Sequence, residues 1–174
     1  MSRPGRIASR GLILVAIGMA GIVIYGRERL WERFAPTDLG PIDFARIERS
    51  ASGNDALAAS ASLSGDPDIT LPDYAADAET VLGEIDARIS GLGEAVTVVE
   101  RSPTTRRIVT RSRLMRFPDT TVIEAVPLPH GGTGVRAYAR ASLGKSDLGA
   151  NEARLRRWLL DLPLPLKERE VTVR

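Results

Sequence analysis

One stretch of the chain, Gly11 to Gly26 (GLILVAIGMAGIVIYG), is apolar without a single charge and lies between Arg10 and Arg27, whereas the remainder alternates polar and apolar positions at shorter periods. Eight of its residues (Leu12, Ile13, Leu14, Val15, Ile17, Ile22, Val23, Ile24) each favour insertion near a bilayer centre by about 0.3 to 0.6 kcal/mol, which predicts a membrane anchor. As a helix the run spans about 24 Å against a hydrocarbon core of about 30 Å, so its flanking arginines would snorkel or the bilayer would thin. A cleaved signal peptide is the rival, because Arg3, Arg6 and Arg10 form a basic region ahead of the apolar run. Its small-x-small triplets, Ala16-Ile17-Gly18 and Gly18-Met19-Ala20, fall inside the run and Ile22-Val23-Ile24-Tyr25 continues past them, which favours an uncleaved anchor. Three arginines precede the run and Arg27, Arg29 and Arg33 follow it, a tie by the positive-inside rule. The short N-terminal tail and the α-amine favour an inside N-terminus, placing the C-terminal bulk in the periplasm or outside the cell.

After the run, Arg27 to Phe34 (RERLWERF) prolongs the helix into the interface with Trp31 at headgroup depth, and Pro36 and Pro41 end it. Residues 35–72 mix Pro, Gly, Ser and Asp with little periodicity and read as an extended, partly ordered lead-in. Ala78, Val81, Leu82, Ile85 and Ile89 then recur at helical spacing behind the capping residue Asp77, with Gly91 or Gly93 as the stop. Ala95 to Glu100 is β-prone. Arg106 to Phe117 alternates Ile108, Thr110, Ser112 and Leu114 with Arg107, Arg111 and Arg113, and Pro118-Asp119 marks a turn. Thr120 to Leu128 sets Val122, Val126 and Leu128 on one side, and the turn His130 to Gly134 leads to Val135–Leu143, with Val135, Ala137, Ala139, Ala141 and Leu143 inward and Arg136, Tyr138 and Arg140 outward. A closing helix is predicted from about Leu148 to Leu162, with Leu148, Leu155, Leu159 and Leu162 on the packing face and Arg154, Arg156 and Arg157 outside, stopped by Pro163 and Pro165. The predicted fold is α+β: an N-terminal transmembrane helix followed by a small antiparallel sheet covered on one face by two helices.

Composition narrows the chemistry. The chain has no cysteine and one histidine, His130, so thiolate nucleophiles, disulfides and histidine-based zinc sites are not expected, and no cofactor is predicted. Net charge is +4 over residues 1–34, −9 over 35–95 and +7 over 96–174. The acidic and basic parts are expected to fold onto one another, with an anionic lipid, a glycan or a protein as the alternative partner of the basic part. The outward arginines Arg107, Arg111, Arg113, Arg136 and Arg140 are accordingly expected to adjoin the acidic lead-in or to lie near anionic headgroups. Nucleic acid is not an expected partner, since the basic face has no interleaved aromatic platform and an anchored module lies outside the cytosol. Ala16 and Ala20 form a small-xxx-small pair, but the oligomeric state stays open.

Three segments together resemble a known family: Asn54-Asp55-Ala56-Leu57, then Arg113-Leu114-Met115-Arg116-Phe117-Pro118-Asp119, then Gly144-Lys145-Ser146-Asp147-Leu148-Gly149-Ala150-Asn151 running into an Arg-rich helix with Trp158. In this order they resemble the bacterial family catalogued as domain of unknown function 1499, over about residues 50–163. The resemblance implies a fold and a boundary but no reaction. Many relatives carry cysteines shortly after the first segment; this chain has Ala58-Ala59-Ser60-Ala61-Ser62 there, so a role tied to them is not carried over. The organisation expected is a basic tail (1–10), an anchor (11–26), a juxtamembrane linker (27–49), the α+β domain (50–163) and a C-terminal tail (164–174).

Ser146 beside Asp147 lacks the base that a nucleophilic serine needs. Short polar residues between two glycines suit turn and cap duty instead, with Lys145, Ser146, Asp147 and Asn151 flanked by Arg111, Arg113 and Arg140 as the candidate contacts for a phosphate or carboxylate. The function expected is a single-pass, non-enzymatic module of the bacterial envelope, in the cytoplasmic membrane, binding a protein, an anionic lipid or a glycan. The alternative is an envelope hydrolase using clustered carboxylates, Asp119 and Asp147.

Overall fold

The computed structural model describes residues 15, 17–21, 26–34, 36–63, 65–113, 115–144 and 146–167. Helix α1 (Arg27–Phe34) is followed by strands β1 (Asp55–Ser60) and β2 (Ile69–Leu71) and helix α2 (Ala78–Gly91). Then come β3 (Val96–Arg101), β4 (Thr105–Arg111), β5 (Pro118–Pro127), β6 (Thr133–Ala141) and helix α3 (Ala150–Leu159). One six-stranded sheet runs β2-β1-β6-β5-β4-β3. All neighbours are antiparallel except β1 and β2, which pair in parallel over Ala58–Ser60 and Ile69–Leu71. So short a parallel pair needs no long crossover, because the chain retraces only about 10 Å of strand between the two.

The fold is α+β, and the helical periodicity of α2 and the alternation of β6 locate those elements correctly. Asp77 caps α2 by accepting from the Thr80 amide at 2.7 Å, and Gly93 leaves the helix with φ 61°. Val81, Leu82, Ile85 and Ile89 from α2 join Leu155, Trp158 and Leu159 from α3 over Ile108, Ile123, Ala125, Val135, Ala137 and Ala139 on one sheet face. Helix α3 lies over β1 and β6, where Ala56, Ala58, Ala137 and Ala139 form a floor of small side chains beneath it. Alanine side chains let the helix approach closely enough to enclose the Trp158 ring, while the indole N–H donates to Glu94 Oε2 at 3.2 Å.

Several expectations need correction. The lead-in holds two strands, β1 and β2, which make the sheet mixed rather than wholly antiparallel. The alanine-rich run 56–61 has low strand propensity, and its conformation is imposed by pairing with β6. On β5 the core-facing residues are Ile123 and Ala125; Val122 lies on the opposite face, beside Arg107 and Tyr138. Leu148 precedes α3 and is exposed, and Arg154 is buried rather than outward. Strand β4 ends at Arg111, so Ser112 and Arg113 belong to the following turn.

The second sheet face carries the outward arginines, and the acidic lead-in covers it. Arg107 pairs with Asp38 at 3.1 Å, Arg140 Nη2 donates to the carbonyls of Leu39 and Gly40 at 2.7 and 3.1 Å, and the Arg136 guanidinium sits 4.7 Å over the Phe44 ring. Leu39 N donates to Thr120 Oγ1 at 2.9 Å. Asp55, at the start of β1, accepts from Arg49, the Ser50 amide and the Tyr138 hydroxyl. Burial works to raise the Asp55 carboxyl, but these donors outweigh it and hold it below the ordinary carboxylate range. Among the described residues no helix is long and apolar enough to cross a membrane; most of the run 11–26 lies outside them.

Candidate functional site

The antiparallel order of β4, β5, β6 and β1 brings four loops to one end of the sheet: the start of β1, the 112–117 turn, the segment after β6 and the start of α3. The three segments that carry the family resemblance all lie there. The turn closes by Ser112 N to Phe117 O at 3.0 Å and Phe117 N to Ser112 Oγ at 3.0 Å, with Arg116 at φ 60°. This geometry delivers Pro118 and Asp119 to the first positions of β5.

Asp119 points to the helix side, 6% exposed, and meets Arg154 Nη2 at 2.8 Å; Arg154 is 7% exposed. Arg154 Nη1 donates to Asn151 Oδ1, and Asn151, fully buried, donates from Nδ2 to the carbonyl of Asn54 at 3.2 Å. Asn54 donates in turn to the Gly144 carbonyl at 2.9 Å. One chain of hydrogen bonds thus links β5, α3, β1 and the segment after β6, with each buried donor facing an acceptor. Burial pushes the Asp119 carboxyl up, the Arg154 charge and hydrogen bond pull it back, and the nearby charge of Asp147 pushes it further up.

Asp147 serves the helix. Its Oδ1 accepts from Gly149 N at 3.0 Å and its Oδ2 from Asn151 N at 2.8 Å, satisfying amides that the first turn of α3 leaves open. The residue at the cap position itself, Gly149 with φ 76°, has no side chain to do this. Ser146 Oγ accepts from Leu148 N at 3.2 Å. Asp147→Ala is expected to lower stability by about 0.5 to 2 kcal/mol, the cost of a lost cap, read as a lower denaturation midpoint.

Of the predicted contact residues, the structure brings Ser146, Asp147 and Asn151 to this end. Arg111 also lies there, 3.4 Å from Glu32 of α1, and Arg113 is exposed in the neighbouring turn. Arg140 belongs to the opposite sheet face and is engaged by lead-in carbonyls, and Lys145 lies outside the described residues. The sequence reading missed Arg154 and Asn54 as members of the network. Arg154 had a signal: Asn151, Arg154, Leu155, Trp158 and Leu159 fall at i, i+3, i+4, i+7 and i+8, so one helix face takes them all inward. Among the described residues no group of three or more His, Cys, Asp or Glu is placed to hold a metal ion.

At the other end of the domain a cleft of about 590 Å³ opens between α2 and the β5–β6 hairpin, lined in part by Ala75, Asp77, Pro127, His130 and Lys167. Its charged groups are already engaged. The Asp77 carboxylate is held below its ordinary range by the Thr80 amide that it caps, and Lys167 Nζ donates to the carbonyls of His130, at 2.8 Å, and Gly131. The hairpin needs Gly132 at φ 75°, because a Cβ there would stand 2.5 Å from the Tyr74 carbonyl oxygen. Burial pushes the Tyr74 hydroxyl up to about 12.

No curated protein and no solved structure matches the chain. A family model, "Protein of unknown function (DUF1499)", matches residues 45–162, a span that takes in β1 to α3 together with Asn54, Asp119, Asp147, Asn151 and Arg154. With more than half of its length matched, the chain belongs to the DUF1499 family.

Proposed function

We propose that the protein is a membrane-tethered, non-enzymatic module of the bacterial envelope, held in the cytoplasmic membrane by Gly11 to Gly26, whose domain binds a protein, an anionic lipid or a glycan on the outer side. The observation that carries the non-enzymatic reading is the commitment of the two signature carboxylates. Asp147 has both oxygens on backbone amides, and Asp119 is buried against Arg154, so neither is presented to a substrate as a free acid or base. The tether is supported by the uncharged apolar run and by Val15, Ile17 and Met19, large apolar side chains that are exposed.

The alternative, a hydrolase using Asp119 and Asp147, has one fact in its favour: the Asp147 charge reaches Asp119 and helps to raise its carboxyl. The tether is tested by fractionation and by a C-terminal alkaline phosphatase fusion. The chain is expected to stay in the membrane pellet through high-salt washing, with an active phosphatase. Recovery of a soluble form lacking about its first 20 to 25 residues would overturn the reading in favour of a cleaved signal.

A further inference from the structure

We propose that the end of the domain carrying Met115 and Leu148, with Arg113 beside them, rests on the headgroup layer of an anionic bilayer, so that the partner of this face is the membrane surface around the chain's own anchor. The inference rests on the reading of residues 11–26 as an anchor and adds to it a fixed orientation of the domain.

The distance constraint comes from α1. Trp31 Nε1 donates to the Met115 carbonyl at 2.6 Å, and the Trp31 and Phe117 rings lie 4.6 Å apart. Glu32 of the same helix faces Arg111 at 3.4 Å. The helix that begins one residue after Gly26 is therefore docked on the 112–117 turn rather than serving as a free linker. Trp31 is five residues past Gly26, about 7.5 Å of helical rise, comparable with the 5 to 8 Å of polar headgroup on each side of the hydrocarbon. If the apolar run ends at the hydrocarbon boundary, the turn that Trp31 grips lies at headgroup depth.

The side chains at this end suit that position. Leu148 is 95% exposed and has φ 54°, a conformation that favours glycine or asparagine over a branched apolar residue. Met115 is 42% exposed in the adjacent turn. Exposed apolar tips on two neighbouring loops are unfavourable in water and favourable at a lipid interface. Arg113 is exposed in the turn and has no ion pair among the described residues, so its charge is free to meet an anion. The acidic groups of the same end are engaged, Asp119 by Arg154, Glu32 by Arg111, Asp55 by Arg49, Glu152 by Arg156 and Asp147 by two backbone amides. A basic surface tipped with leucine and methionine matches an anionic lipid headgroup layer better than a neutral one.

The chain contains no cysteine, so a single one labels one site. Full-length Leu148→Cys, carrying a polarity-sensitive fluorophore, is reconstituted into phosphatidylcholine vesicles with about a quarter phosphatidylglycerol, an anionic surface. Some of the lipids bear a shallow nitroxide quencher. Ala75→Cys, in the cleft at the opposite end, serves as the reference, and Met115→Cys repeats the reading should the Leu148 variant misfold. Strong quenching at 148 and 115 and little at 75 is expected. Arg113→Gln should shift the balance between docked and undocked protein by about fivefold towards undocked, an effect that fades with salt. Three results overturn the proposal. Labels at 148 and 115 quenched no more than at 75, in protein that floats with the vesicles, would remove the docking and leave the anchor standing. Protein that does not float would remove the anchor and the docking with it. Quenching identical in vesicles of phosphatidylcholine alone and untouched by Arg113→Gln would remove the anionic partner.

Discussion

Asp119→Asn is expected to destabilise the chain by about 3 to 5 kcal/mol, because it leaves the Arg154 guanidinium buried without its counter-charge. Breaking one side of a buried pair costs more than losing both, since the surviving charge keeps its desolvation penalty and loses its compensation. Replacing the two together, Asp119→Leu with Arg154→Leu, should therefore recover most of the loss, and the double-mutant cycle measures the coupling directly. Denaturant unfolding followed by circular dichroism supplies both numbers. A loss below about 1 kcal/mol for Asp119→Asn would mean that the pair is not what holds this end together, and would return Asp119 to consideration as a working carboxylate.

Trp158→Ala should cost about 3 to 5 kcal/mol, the range for emptying a fully buried aromatic site. The helix that carries the ring packs on β1 and β6, whose core-facing residues Ala56, Ala58, Ala137 and Ala139 are too short to extend into an emptied site, so little relaxation is available to reduce the cost. Trp158→Phe keeps most of the volume and loses the indole donor to Glu94, and is expected to fall well short of the alanine variant. The chain has two tryptophans, so in either variant the remaining tryptophan fluorescence, excited selectively at the red edge of the absorption band, belongs to Trp31. Its emission then reports whether α1 stays on the 112–117 turn while the core loosens. Unfolding midpoints for Trp158→Ala within experimental scatter of the parent would contradict the role given to this ring.

Regular burial made half of the fold readable from sequence. Val81, Leu82, Ile85 and Ile89 recur at the helical period, and Val135, Ala137 and Ala139 alternate as a strand with one face inward; both patterns match the structure. Strands β1 and β2 were invisible because their conformation depends on distant partners. Ala56 and Ala58 are strand residues only because β6 pairs beside them, more than 75 positions later in the chain. The sequence leaves open which side of β5 faces the helices for a related reason: Val122 and Ile123 are both buried, on opposite faces of the sheet, so alternation carries no signal when both faces are covered. At the signature end, the capping duty of Asp147 followed from the chemistry of short polar residues near glycines. The ion pair of Asp119 with Arg154 did not, since an arginine among leucines on a helix ordinarily reads as solvated.

The link from Asn151 back to the Asn54 carbonyl spans 97 positions, which sets the order of assembly. As the chain is delivered from its N-terminus, the lead-in and β1 arrive long before β6 offers an edge to pair with, and the network of Asn54, Asp119, Asn151 and Arg154 cannot close until α3 has arrived as well. Until then β1 has neither its neighbour nor its cover. In the tethered arrangement proposed above, that interval is spent at the bilayer, and the signature network closes only just ahead of the Lys167 contacts that seal the opposite end.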